Sequence, residues 1–196
     1  MQKIITGLFL LIMTFSAYAG NDVPAGLNDY VTNLVNDAST TLNNSSLSQD
    51  AKIAKARELL HNNLDFDRMA KGALGRNIKA LSISKEQIKE FTEVYSKYVT
   101  KAYTDLIKDY KGEQPQITGV RTINSNEFIV DMNIINKKGQ DPIKVQYYVR
   151  KIGNSFKVFD VITSGISIVG AQREDFDSTL KNQGFDALIQ NLKNRS

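Results

Sequence analysis

The chain contains no cysteine. That excludes disulfides, thiolate nucleophiles and cysteine-based metal sites, and leaves packing as the source of stability. Its single histidine, His61, is the one a Ser-His-Asp site would have to use, and no G-x-S-x-G elbow accompanies it. At the end of a predicted helix, a histidine has an ordinary place as a cation facing the helix C-terminus. There is no G-x-x-x-x-G-K-[ST] loop, so nucleotide hydrolysis by that route is excluded. With three prolines, the sequence has no Pro- or Gly-rich linker, no internal repeat and no low-complexity tract. Charges alternate, as in KEQIKEFTEVYSKY (85–98), and form no basic block of the kind that tracks phosphates. Nucleic acid is therefore not an expected partner.

What is present begins with a leader. Lys3 supplies a positive start, Ile4 to Phe15 an apolar run, and Ala17-Tyr18-Ala19 a small-x-small cleavage signal. The run is too short for the roughly 20 helical residues a bilayer needs, so residues 1–19 read as a removed secretory signal. No cysteine follows Ala19, which argues against a lipoprotein anchor at this junction. Removing Lys3 lowers the net charge from +4 to +3. Residues 20–196 are long enough for one domain with a substantial core.

The first half of that domain reads as helical. Leu27, Tyr30, Val31, Leu34, Val35, Ala38 and Leu42 recur at helical spacing, with Pro24 near the start. A second helix is predicted from the N-cap Ser48 to His61, with Ala51, Ala54, Leu59 and Leu60 inward. A third starts near Asp65 and lines up Phe66, Met69, Ala70, Ala73 and Leu74. The longest helix opens at the capping box Ser84-Lys85-Glu86-Gln87 and is predicted to reach Tyr110, where Gly112 and Pro115 follow. Its apolar stripe is too broad for a single contact surface.

From Gln116 the period changes to two. Ile117–Ile123, Glu127–Ile135, Ile143–Ile152 and Ser155–Thr163 read as strands of an antiparallel meander. Gly153-Asn154 is a two-residue hairpin signal, which taken literally pairs Val149 with Val158, Tyr147 with Asp160 and Val145 with Ile162. Two closing helices, Asp175–Asn182 and Phe185–Lys193, flank Gly184. Helices, then sheet, then helices give an α+β fold, with helices wrapped around a four- to five-stranded antiparallel sheet in a single domain.

Few residues can carry chemistry. Asp65 and Asp67 lack further spaced acids or histidines, so a helix N-cap explains them better than a metal site, and no metal is expected. Asp160 falls on an apolar strand face and needs a partner, because an unpaired buried carboxylate is costly. Tyr147 opposite and Arg173 just beyond the strand are candidates, which makes Asp160 and Arg173 a structural anchor. A glycosidase-like hydrolase using Asp160 and a second acid stays open as the alternative, since such chemistry needs only two carboxylates. The residues alone stop at an exported α+β binding module.

Across residues 20–196 the motifs then align with one family. Asp65-Phe66-Asp67, Ala73-Leu74-Gly75-Arg76, Tyr103, Val145-Gln146-Tyr147-Tyr148-Val149, Lys157-Val158-Phe159-Asp160-Val161 and Gly165-Ile166-Ser167-Ile168 stand in order, followed by Arg173, Phe176 and the closing Gly184, Phe185, Leu188, Ile189 and Leu192. This order and spacing resembles the MlaC, or toluene-tolerance auxiliary, family of periplasmic phospholipid-binding proteins. Phe156, Asn77-Ile78 and Ala171-Gln172 depart from the family pattern. The resemblance implies a non-enzymatic carrier without cofactor, whose cargo is phospholipid held in an apolar cavity between sheet and helices. The implied wall is Tyr95, Val99, Tyr103, Leu106, Val130, Met132, Val145, Tyr147, Val149, Val161, Ile166 and Ile168. The implied partners are an outer-membrane lipoprotein–porin complex and an inner-membrane ABC transporter bearing an MCE-domain protein. A non-lipid periplasmic adaptor of a transporter is the alternative of a different class.

Overall fold

The computed structural model describes residues 23–135 and 141–196. Residues 1–19, read above as a secretory signal, and most of the connection between the second and third strands lie outside the described residues. Helices α1 (Leu27–Asn43), α2 (Gln49–Asn63), α3 (Phe66–Leu74), α4 (Asn77–Ala80) and α5 (Lys85–Asp105) precede the sheet. Strands β1 (Gln114–Asn124), β2 (Glu127–Ile135), β3 (Ile143–Ile152), β4 (Ser155–Thr163) and β5 (Ile166–Ser167) follow, and α6 (Ile168–Gln183) and α7 (Phe185–Asn194) close the chain. The sheet is an antiparallel meander in the order β1-β2-β3-β4-β5.

Local chemistry sets most boundaries. Ser48 caps α2 by accepting the Ala51 N–H, and Asp65 caps α3 by accepting the Arg68 N–H. Ser84 and Gln87 complete the capping box of α5 in both directions. Pro115 is accommodated because β1 is an edge strand, where a missing N–H breaks no ladder. Gly75, at φ 54° and ψ −133°, ends α3 in a conformation that side chains avoid. A Cβ there would also lie 2.5 Å from Arg173 Cδ.

Several boundaries differ from the sequence expectation. The long helix stops at Asp105, and Leu106–Asp109 tighten into a 3-10 turn that gives the last carbonyls nearer donors. At 1.5 Å per residue, α5 is therefore about 32 Å long. Helix α6 starts at Ile168 rather than Asp175, because the Ser167 side chain accepts the Gly170 N–H and begins the helix there. In α2 no residue is buried and Ala54 is exposed, so this helix covers the core without entering it.

The β3–β4 register follows the hairpin expectation only next to the turn. Val149 pairs with Val158 and Arg150 with Lys157, but Phe159 is then an extra residue and the ladder resumes with Tyr148 opposite Asp160. Tyr147 thus faces Val161, not Asp160, and Val145 faces Thr163, not Ile162. The physical reason is packing. Val158 and Val161, three positions apart, are both buried, which strict alternation forbids and a bulge permits.

Candidate functional site

Register assembles an apolar band across the sheet. Val130 pairs with Tyr147 and Met132 with Val145 across β2 and β3, while Tyr147 pairs with Val161 across β3 and β4. Directly opposed residues share a face, so these side chains form one surface. Val130, Met132, Val145, Val149 and Val161 are buried, and Tyr147 is partly buried against them. The same core takes in Tyr95 and Val99 of α5, with Tyr103 and Ile168 at its margin. Ten of the twelve expected wall residues are thereby brought together, as a packed interior.

Two wall residues lie elsewhere. Leu106 is 64% exposed and Ile166 61% exposed. Leu106 stands just past the end of α5, as the first residue of the 3-10 turn. Ile166 sits on the two-residue strand β5, which pairs with β4 on one side only. Ile135 and Ile143, adjoining ends of β2 and β3, are exposed too. They lie at the sheet end remote from the Gly153-Asn154 turn, the end to which the Thr163–Ile166 pair also belongs.

Beside this interior, Asp160 makes three contacts. It accepts the Ser167 hydroxyl at 2.6 Å, the Val161 N–H at 2.8 Å and the Val169 N–H at 3.2 Å. Its carboxylate thereby holds the first turn of α6, where exposed N–H groups favour an anion. The expected partners are replaced. The bulge turns Asp160 toward α6, while Arg173 lies exposed beside Gly75 and makes no ion pair among the described residues. His61 is exposed at the end of α2, its ring 5.4 Å from Phe66.

Of the ion pairs the sequence reading missed, one has a buried carboxylate. Asp65 is 5% exposed and, besides capping α3, accepts a hydrogen bond from Arg150 Nε. The Asp65 N–H also donates to the Val158 carbonyl, which ties the start of α3 to β4. Next to this pair, a cavity of about 620 Å³ lies between α3, α6 and β4. Arg68, Lys71, Arg150 and Arg173 line it, with Asp67, Asp160 and Phe159. Arg68 is held by Glu127 at 2.5 Å and lies over the Phe159 ring, so much of the positive charge is already matched.

Burial governs the tyrosines. Tyr95 donates to Gln172 Oε1 at 2.5 Å and packs against Phe91 and Phe176. Desolvation pushes Tyr95 and Tyr103 well above the ordinary tyrosine range, and Tyr30 up to about 12. The Tyr103 and Thr100 hydroxyls of α5 are buried with no partner among the described residues. Thr100 was not legible as a site residue, since it stands one place off the apolar stripe.

A family model described as MlaC protein matches residues 32–194. The chain belongs to the MlaC family. This places Asp65, the Ala73-Leu74-Gly75-Arg76 turn and Asp160 within the matched region of an MlaC-family chain. Among curated relatives, the intermembrane phospholipid transport system binding protein MlaC of Haemophilus influenzae is 27% identical over 158 residues, covering 77% of this chain and 72% of the relative. Among solved structures, the phospholipid-binding protein from Ralstonia solanacearum, in complex with a phospholipid, superposes with a TM-score of 0.71 at 20% identity. That match covers 85% of this chain and 94% of the other, and shows that the two share a fold.

Proposed function

We propose that this MlaC-family protein is a periplasmic phospholipid carrier that shuttles lipid between outer and inner membranes, with acyl chains taken up between the sheet and α5. The observation that carries the reading is the apolar band Val130–Tyr147–Val161 facing the Tyr95–Val99–Tyr103 stripe, with exposed Ile135, Ile143 and Ile166 at one end of the sheet. Family membership, the name of the Haemophilus relative and the phospholipid bound by the Ralstonia protein support it. The physical need is plain. Each buried CH₂ is worth about 0.8 kcal/mol, so a two-chain lipid of about 30 methylenes escapes a bilayer far too slowly unaided. The carrier would exchange cargo with an outer-membrane lipoprotein–porin complex and an inner-membrane ABC transporter bearing an MCE-domain protein. It would be exported with its leader cleaved near Ala19, and it performs no catalysis. The three hydrogen bonds on Asp160 support an anchoring rather than an acid-base role.

The adaptor reading has one observation in its favour, the complete burial of Tyr95, Val99 and Val130, which is what an ordinary packed core looks like. One experiment separates the two. The mature protein is purified, its bound lipid is identified by native mass spectrometry, and the delipidated form is offered labelled phospholipid in vesicles. Co-purifying or captured phospholipid supports the carrier. Protein that is lipid-free and takes up none would overturn it in favour of the adaptor.

A further inference from the structure

Helix α5 disposes of nearly all its buried or half-buried hydroxyls internally. Thr92 donates to the Ile88 carbonyl at 2.8 Å, Ser96 to the Glu93 carbonyl and Thr104 to the Lys101 carbonyl, and Tyr95 reaches Gln172. Tyr98 accepts from Arg195. Thr100 and Tyr103 are the exceptions: both oxygens are buried and neither has a partner among the described residues. Thr100 as a residue is 4% exposed. Three positions apart, the two side chains project from one side of the helix. A buried hydroxyl without a partner destabilises the fold that contains it, and an ordered water or a ligand group is what supplies the missing bond.

The surroundings define that partner. From Leu106, which is exposed, burial deepens along α5 through Tyr103 to Thr100 and Val99. At 1.5 Å per residue, Tyr103 lies about 4.5 Å and Thr100 about 9 Å along the axis from Leu106. Each hydroxyl has a proton to give as well as lone pairs to receive one, and an accepting group satisfies the proton. A neutral group suits this setting better than phosphate. Burial first, then the neighbouring Tyr147 and Asp160, oppose a negative charge at Tyr103. In a diacyl lipid, the uncharged acceptors flanked by hydrocarbon are the ester carbonyls.

We propose that Tyr103 and Thr100 donate hydrogen bonds to the ester carbonyl oxygens of a diacyl lipid, fixing the depth at which its chains enter. This rests on the carrier reading above. Neighbouring glycerol carbons carry two such carbonyls, one for each donor. The phosphate then stays outside, and selection falls on the linkage rather than on the headgroup.

The test compares lipids that differ only in that linkage. The full mature chain and its Tyr103→Phe and Thr100→Val variants are delipidated and offered vesicles containing equal amounts of dipalmitoyl phosphatidylcholine and its dialkyl ether analogue. Captured lipid is then quantified by mass spectrometry. Each neutral hydrogen bond shifts the ratio about fivefold, so the wild type favours the ester and each variant loses roughly that factor. Delipidated Tyr103→Phe is expected to unfold at no lower urea concentration than wild type, since it removes an unpartnered hydroxyl. Equal capture of ester and ether by wild type, or an undiminished preference in Tyr103→Phe, overturns the proposal while leaving the carrier intact. Lower stability of the delipidated variant also overturns it, by showing that the hydroxyl is bonded within the fold. Wild type that captures neither lipid overturns the carrier reading and this one with it.

Discussion

Asp160 separates an anchored carboxylate from a catalytic one. Its oxygens take the Ser167 hydroxyl and the N–H groups of Val161 and Val169, and Ser167 in turn takes the Gly170 N–H. Asp160→Asn keeps the shape and one carbonyl acceptor, so the two N–H groups stay bonded. Its new NH₂ meets the Ser167 oxygen, which can reorient and accept. What disappears is the ionic strengthening of three bonds and the charge facing the helix terminus. A hydrogen bond to a charged group is worth at least about 0.5 kcal/mol more than a neutral one, so losing that minimum at three bonds costs about 1.5 kcal/mol, and the expected loss is about 1–2 kcal/mol. Asp160→Ala removes every acceptor and leaves a hydroxyl and two N–H groups to find water, for about 2–4 kcal/mol. For a chain of this length those values correspond to melting-point drops of about 2–8 °C and 4–16 °C. Urea unfolding of both variants, with lipid capture measured on the folded fraction, checks the order and the size. An Asn variant as stable as wild type would refute the anchor. So would phospholipid hydrolysis by wild type that vanishes in a fully folded Asn variant.

The remaining expectations are briefer. Gly75→Ala should cost about 1–3 kcal/mol in urea unfolding, because it combines a positive φ with a contact on Arg173; an unchanged midpoint would contradict the backbone argument. Arg150→Met should cost about 3 kcal/mol or more by stranding the buried Asp65 carboxylate, and more than Asp65→Asn, which keeps a cap and an acceptor; the reverse order in paired unfolding curves would refute the pairing. A charged residue at Val149 or Tyr147 should lower lipid occupancy of the folded fraction, whereas a loss seen only as stability, with occupancy tracking folding, marks plain core. At alkaline pH the buried tyrosines act against the fold. Tyr30, Tyr95 and Tyr103 hold their protons in the folded state beyond the pH at which an unfolded chain releases them. The unfolded state then binds fewer protons, so the tyrosines' contribution to stability is level below about pH 10 and falls above it, with the Tyr30 share lost by about 12. Phenolate absorbance that rises fully before the fold is lost would contradict this.

Much of the fold was legible because its determinants are local. Ser48, Asp65 and Ser84 cap the helices they were read to cap, and Gly153-Asn154 makes its turn with Val149 opposite Val158. Each of those signals is written within four residues or so of its effect. The sheet's apolar faces were legible for the same reason, since period-two alternation is a property of one strand. The start of α6 was hidden because Ser167 ends a strand and caps a helix at once. Gly170, which weakens the helical pattern, sits where a Cβ would lie 3.0 Å from the Ser167 hydroxyl oxygen.

What escaped was long-range choice of partner. Asp65 and Arg150 lie 85 positions apart, and the segment near each offers other charges that would have served as well. Thr100 and Tyr103 escaped differently, because an unpartnered hydroxyl shows itself only once every neighbour is placed. The bulge, by contrast, did leave a trace. Continuing the hairpin register unbroken puts an acid, Asp160, on the same face as Phe156 and Val158, while Val161 is turned away. A carboxylate assigned to an apolar face and a valine assigned to the outer one is a contradiction that one inserted residue removes. That single residue, Phe159, turns Asp160 from an anomaly in a hydrophobic wall into the group that fixes α6 beside it.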